Sequence, residues 1–259
     1  MAGVMGNRSA RWLALMGVLL AVLAIPAQSM AAPITFNFVT LPVDGTGQLG
    51  STGNTRTFMV GGLTVTATAW AFDTSMTPDQ FDRAALGHWS GFGLGVCNSG
   101  EISDCDSPEH QLDNSPSSTR TDFVLFHFSS AVDPTSVTVR NYDGSDGNDL
   151  DVSYFVGNLA STNIDGKTLA TLGMGAQNDD LDGTNGGTNP RTVSIGGSTS
   201  ATDLLFGARL GNAGAQSEND YFKITALTVN TTAVPEPASL ILLGTGLLGV
   251  ARRRLRSKG

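Results

Sequence analysis

The chain has 259 residues, 40% hydrophobic and 15% charged, so it can bury a core and does not have the composition of a disordered polymer. Its formal net charge of -8 is unevenly spread: residues 33–234 carry 8 Lys and Arg against 22 Asp and Glu, a net of -14, while both flanks are basic. So acidic a body repels a phosphate backbone, which argues against nucleic acid as its partner.

At the start of the chain, Arg8 and Arg11 precede an uncharged run from Trp12 to Ile25, then Pro26 and a zone of small residues ending at Ala32. These are the three parts of a secretory signal. Ser29 and Ala31 have small-x-small spacing, so residues 1–31 are expected to be a signal peptide removed by signal peptidase after Ala31. As a helix the apolar run rises only about 21 Å, short of the roughly 30 Å hydrocarbon core, which favours a cleaved signal over an anchor.

Residues 32–232 alternate short apolar and β-branched runs with Gly, Asn, Asp, Ser and Thr. Strands are predicted over Ile34–Thr40, Thr57–Val60, Leu63–Phe72, Phe123–Ser129, Ser136–Tyr142, Leu150–Val156, Arg191–Ile195, Leu204–Leu210 and Tyr221–Asn230. Period-two alternation is clear in Leu63, Val65, Ala67 and Ala69, and again in Phe222 and Ile224 before Leu227 and Val229. A turn or two near Asp79–Leu86 is the one helical signal. The Gly-rich stretches Asp44–Gly53, Gly173–Thr188 and Gly196–Thr202 read as loops. The expected fold is all-β: one β-sandwich ectodomain, jelly-roll-like.

Cys97 and Cys105 fall inside this exported body, where an oxidising compartment favours one disulfide. Closing so short a loop is worth about 2–3 kcal/mol. Zinc would need more ligands, and adding His110 makes only three. Polar residues Ser107–Asn114 then precede a strand, and capping a turn suits them better than forming a binding rim.

Acidic loops carry the strongest chemical hint. Asp143, Asp146, Asn148, Asp149 and Asp151 form one group, Asp179, Asp180, Asp182 and Asn185 a second, and Asn219 with Asp220 a third. Calcium takes six to eight oxygen ligands, and such loops supply them, though not with EF-hand spacing. Asp143, Asp146, Asp149, Asp151 and Asp220 are the candidate calcium ligands. The competing reading of each group is a solvated Asx-rich turn.

Catalytic signatures are thin. There is no G-x-S-x-G, and Gly87-His88-Trp89-Ser90-Gly91 resembles it only superficially. His88, His110 and His127 lack H-E-x-x-H spacing, and His127, sharing a strand face with Phe123 and Leu125, reads as a satisfied core or edge histidine. A glycosidase needs only two carboxylates, and composition cannot choose a pair among so many acids. The expectation is a non-enzymatic protein. The alternatives are a carbohydrate-active enzyme or a calcium-dependent adhesin; Trp70, Trp89 or Tyr142, if exposed, would stack on sugar rings, and each fits a core position equally well.

The last segment, residues 233–259, is the most specific. Pro235, Glu236 and Pro237 lead into an apolar run, Leu240–Val250, followed by Arg252, Arg253, Arg254, Arg256 and Lys258. The prolines delay a helix until about residue 238, a transmembrane helix is expected over about 238–251, and the basic end suits a cytoplasmic flank. This tripartite tail resembles the PEP-CTERM sorting signal of Gram-negative bacteria, also labelled the ice-binding protein C-terminal domain. The resemblance implies an exosortase substrate. Such a protein is exported, held transiently in the inner membrane by its tail, processed near Pro-Glu-Pro, and delivered to the cell surface or beyond. It also implies company with exopolysaccharide, making extracellular polysaccharide an implied partner. The order of the Cys-loop, Glu109-His110-Gln111-Leu112-Asp113-Asn114 and Asp122-Phe123-Val124-Leu125-Phe126 is similar to a block in many PEP-CTERM ectodomains. Asn219 and Asp220 resemble the place before a last strand where jelly-roll modules hold structural calcium. These likenesses concern handling and architecture and bring no activity with them.

Overall fold

Alternating apolar and β-branched residues become paired strands along nearly the whole middle of the chain. A computed structural model describes residues 33–42, 54–101, 105, 109–114, 119–142, 149–181, 190–196, 200–211, 220–231 and 244–245. The chain divides into two units, one comprising Met1–Ala31 with Ala233–Gly259 and the other Ala32–Thr232. Of the first, only Gly244 and Thr245 are described, both helical. The rest of the expected helix over 238–251 lies outside the described residues, as does the expected signal peptide. Among the described residues no helix is long and apolar enough to cross a membrane.

The second unit is all-β. Its strands are β1 (Pro33–Asn37), β2 (Thr55–Val60), β3 (Leu63–Asp73), β4 (Gln80–Arg83), β5 (Ala85–Trp89), β6 (Gly93–Cys97), β7 (Leu112–Asp113), β8 (Arg120–Arg140), β9 (Val152–Gly157), β10 (Asn178–Asp180), β11 (Arg191–Ser194), β12 (Ala201–Ala208) and β13 (Tyr221–Thr231). Pairing between these strands is antiparallel throughout. The first part of β8 lies between β3 and β12, with β9 and β10 beyond β12 and with β2 and β4 on the far side of β3. The second part of β8 lies between β11 and β13, whose other edge takes β1 and β6, and β7 pairs with the start of β13.

One long strand therefore serves two layers, and the main core fills the space between them. Phe38 next to β1 stacks on Phe126 of β8 at 5.8 Å, and Phe206 of β12 meets Phe222 of β13 at 6.1 Å. A second apolar cluster covers the outer face of the β3–β8–β12 layer: Trp70, Phe72, Phe81, Phe123, Leu125, Phe155 and Leu205. The segment 158–177 straps over it with Ile164 and Leu172, tied down where Phe81 and Gly166–Lys167 exchange backbone hydrogen bonds.

Several expectations change. Phe123–Ser129 and all of Ser136–Tyr142 except its last two residues belong to one 21-residue strand, because β8 exchanges one set of partners for another around its exposed Ser129-Ser130 step instead of turning. Asp79–Leu86 is not helical: Phe81 is buried opposite Phe72 while its neighbours are more exposed, and β4 and β5 occupy the segment. Asn178–Asp180, expected as loop, forms the short strand β10 against β9. Gly93–Cys97 is also a strand, which the glycine content concealed.

Candidate functional site

Two largely buried carboxylate clusters meet consecutive residues at the end of β7, Asp113 and Asn114. In the first, Asp220 immediately precedes β13 and forms a parallel bridge with Asp149, whose carbonyl accepts from Tyr221 N at 3.2 Å. The Asp151 amide donates to Asp220 Oδ1 at 3.1 Å, and the Leu150 amide to Asp149 Oδ1 at 2.9 Å. The Asn114 amide donates to the other Asp220 oxygen, while Asn114 Oδ1 accepts from Asp220 N at 2.9 Å. Arg209 forms an ion pair with Asp151 at 3.2 Å. One oxygen from each of Asp149, Asp151 and Asp220 lies within 4.8 Å of the others, and all three residues are buried. Burial first, then the charges of Asp151 and Asp149, push the Asp220 carboxyl up to about 8. Hard oxygens converging in this way are what a calcium ion would meet.

Of the five candidate calcium ligands, the structure thus brings Asp149, Asp151 and Asp220 together. Asp143 and Asp146 lie outside the described residues, as do Asp182, Asn185 and Asn219. The remaining acids of the second loop are engaged elsewhere: Asp179 accepts from Ser153 Oγ at 2.6 Å, and Asp180 pairs with Arg191.

The second cluster, Glu101 with Asp113 and Asp122, was not legible in the sequence, since its acids come from three separate segments. Cys97 and Cys105 form a disulfide whose loop carries Glu101. Glu101 Oε2 accepts from Asn98 N at 3.2 Å, and Asn98 Nδ2 donates to Asp122 Oδ1 at 3.1 Å. His110 Nδ1 stands 3.9 Å from Glu101 Oε2. Burial, followed by the neighbouring Asp113 charge, raises Glu101 to about 8, and the same causes raise the fully buried Asp122. The one available signal was Asp122 itself, an acid inside an apolar strand. Asp113 faces this cluster while its neighbour Asn114 faces the first, so β7 spaces the two.

Elsewhere the polar residues before β8 brace the fold. The His110 carbonyl accepts from the Lys223 ammonium, and the Gln111 side chain accepts from Tyr142 N. Lys223 is fully buried under the Trp89 ring, 3.8 Å from its centroid, and burial, then Arg140, pull its ammonium well below the ordinary range. The indole fits flat there because Gly87 and Gly95 leave its place open. Trp70 is buried in the second apolar cluster, the core reading of that ring and not a sugar platform, while Tyr142 packs on Phe92. His88 bonds the Phe38 carbonyl. His127 is partly exposed and bonds Asp203 Oδ1 at 2.8 Å. Buried Asp203 also accepts from Leu159 N and Thr202 Oγ1, fastening the start of the strap.

Residues 233–256 match the family model described as the PEP-CTERM protein-sorting motif. No curated protein matches the chain. Pro235, Glu236, Pro237, Arg252, Arg253 and Arg254 all fall within the matched span, outside the described residues. The chain therefore carries a PEP-CTERM sorting domain, which implies export, exosortase-dependent sorting and a membrane-anchored tail before processing.

Proposed function

We propose that this is a non-enzymatic protein of the cell surface or extracellular matrix, released near Pro235-Glu236-Pro237 after its tail has held it at the inner membrane. The observation that carries the reading is the sorting motif at 233–256 behind a β-sandwich of 32–232. Association with extracellular polysaccharide is part of the proposal, on the strength of the company such tails keep. A calcium ion at Asp149, Asp151 and Asp220 is a second part: it would neutralise carboxylates whose mutual repulsion Arg209 only partly relieves. Replacing Pro235, Glu236 and Pro237 by alanine should leave the protein in the inner membrane; normal surface release refutes the sorting claim. A glycan array probed with the processed protein separates binding from cleavage, and turnover of any glycan refutes the non-enzymatic reading.

A further inference from the structure

We propose that the end of the sandwich where β13 finishes is the surface on which the processing enzyme seats. This rests on the reading of the tail as a signal cut near Pro-Glu-Pro. The observation behind it is how close the fold comes to that signal. β13 remains paired through Thr231, and only Thr232, Ala233 and Val234 separate it from Pro235. Fully extended, that connection spans at most about 14 Å. An enzyme with a grip on the peptide at Pro235 is therefore already against the folded domain.

Two routes would relieve the crowding, and the pairing disfavours one of them. Unzipping β13 would break ladders on both of its edges at once. Asn230 lies opposite Asp133 of β8 and Pro33 of β1, and Thr231 lies opposite Val132. It would also bring out Val229 and Leu227, which are fully buried. Contact with the intact end is what remains. That end is accessible and mixed in character: Pro33, Thr35 and Ser130 are exposed, Asp133, Asn230 and Thr231 are half-buried, and half-buried Ile34 lies against Gly61 of the β2–β3 turn. A small rim of mixed polar and apolar side chains suits transient contact with a membrane-embedded enzyme that must afterwards let go.

The test uses the full chain in a Gram-negative bacterium that processes it, with the cut followed by pulse-chase. Thr35→Arg with Ser130→Arg places two bulky charges at exposed positions on the flanking strands. Processing is expected to slow roughly tenfold, because the arginines obstruct the close approach that the short connection imposes. An unchanged melting temperature of the same variant establishes that the fold is intact. A flexible spacer of about 15 Gly and Ser residues after Thr232 adds roughly 20 Å of reach. In that background the arginines should no longer matter. Wild-type processing of the arginine variant overturns the proposal, as does slow processing that the spacer fails to relieve. The Pro235, Glu236 and Pro237 alanine variant is run alongside. If it is released normally, the tail reading itself has failed; if it is retained while the arginine variant is cut at the wild-type rate, only the docking surface has.

Discussion

Glu101→Gln tests the account of the second carboxylate cluster most sharply. The Glu101 carboxyl is raised from 4.5 to about 8, by burial first and by Asp113 second. Between those values the folded chain keeps a proton that the unfolded chain has released. The associated stability is complete below about pH 4.5 and is lost as pH rises through about 8. One proton of difference costs about 1.4 kcal/mol per pH unit, so a rise from about pH 5 to about pH 7.5 costs at most about 3.5 kcal/mol. Water reaching the side chain, which is 25% exposed, screens part of this, and about 2 kcal/mol is expected. His110, 3.9 Å away, faces the same carboxyl and favours its ionised form when protonated, while Asp113 and Asp122 oppose it. Glutamine keeps a donor directed at Asp113 and cannot ionise. The variant should match the wild type near pH 5, exceed it by about 2 kcal/mol near pH 7.5, and lose stability less steeply by about one proton. Urea unfolding across that range measures it. Parallel pH profiles for the two proteins would show that Glu101 does not hold its proton in the fold.

Three further outcomes follow from the geometry. Cys97→Ser with Cys105→Ser should cost about 2–3 kcal/mol and loosen Glu101, so the pH dependence should weaken in the same variant; a pH profile like that of the wild type would place the cluster's order elsewhere. Asp203→Ala removes the shared acceptor of His127, Leu159 N and Thr202, and a loss of about 3 kcal/mol is expected, with proteolytic nicking inside 158–177 preceding global unfolding. If calcium occupies Asp149, Asp151 and Asp220 at about 100 times its Kd, EDTA should remove about 2.7 kcal/mol and lower the melting temperature by about 5–10 °C; an unchanged melting temperature would eliminate the ion.

The β character of 32–232 was legible because alternation is a local property, as in Leu63, Val65, Ala67 and Ala69, all buried on one face of β3. The termini of the strands were less so. Whether Ser129-Ser130 turns or runs on depends on which strands wait on either side, and those partners are distant in sequence. Trp70 and Trp89 show the same limit: the sequence leaves each ring equally fit for the surface or the core, and the fold seals one beneath a strap and lays the other over a lysine from the last strand.

By itself the sequence determined the handling of this protein. Its sorting signal is a linear order of residues, Pro-Glu-Pro, an apolar run and arginines, and such an address needs no fold to be read. Residue spacing within the segment 149–151 likewise suggested an oxygen-rich site. Only the tertiary structure decided which acids share a space. Asp220 reaches Asp149 and Asp151 through a parallel bridge, and Asp113 is set beside the start of β13 by antiparallel pairing, so tertiary contacts join segments far apart in the chain. Electrostatic energy depends on distance through space and on burial. Pairing sets both, and a reading of neighbours along the chain sees neither.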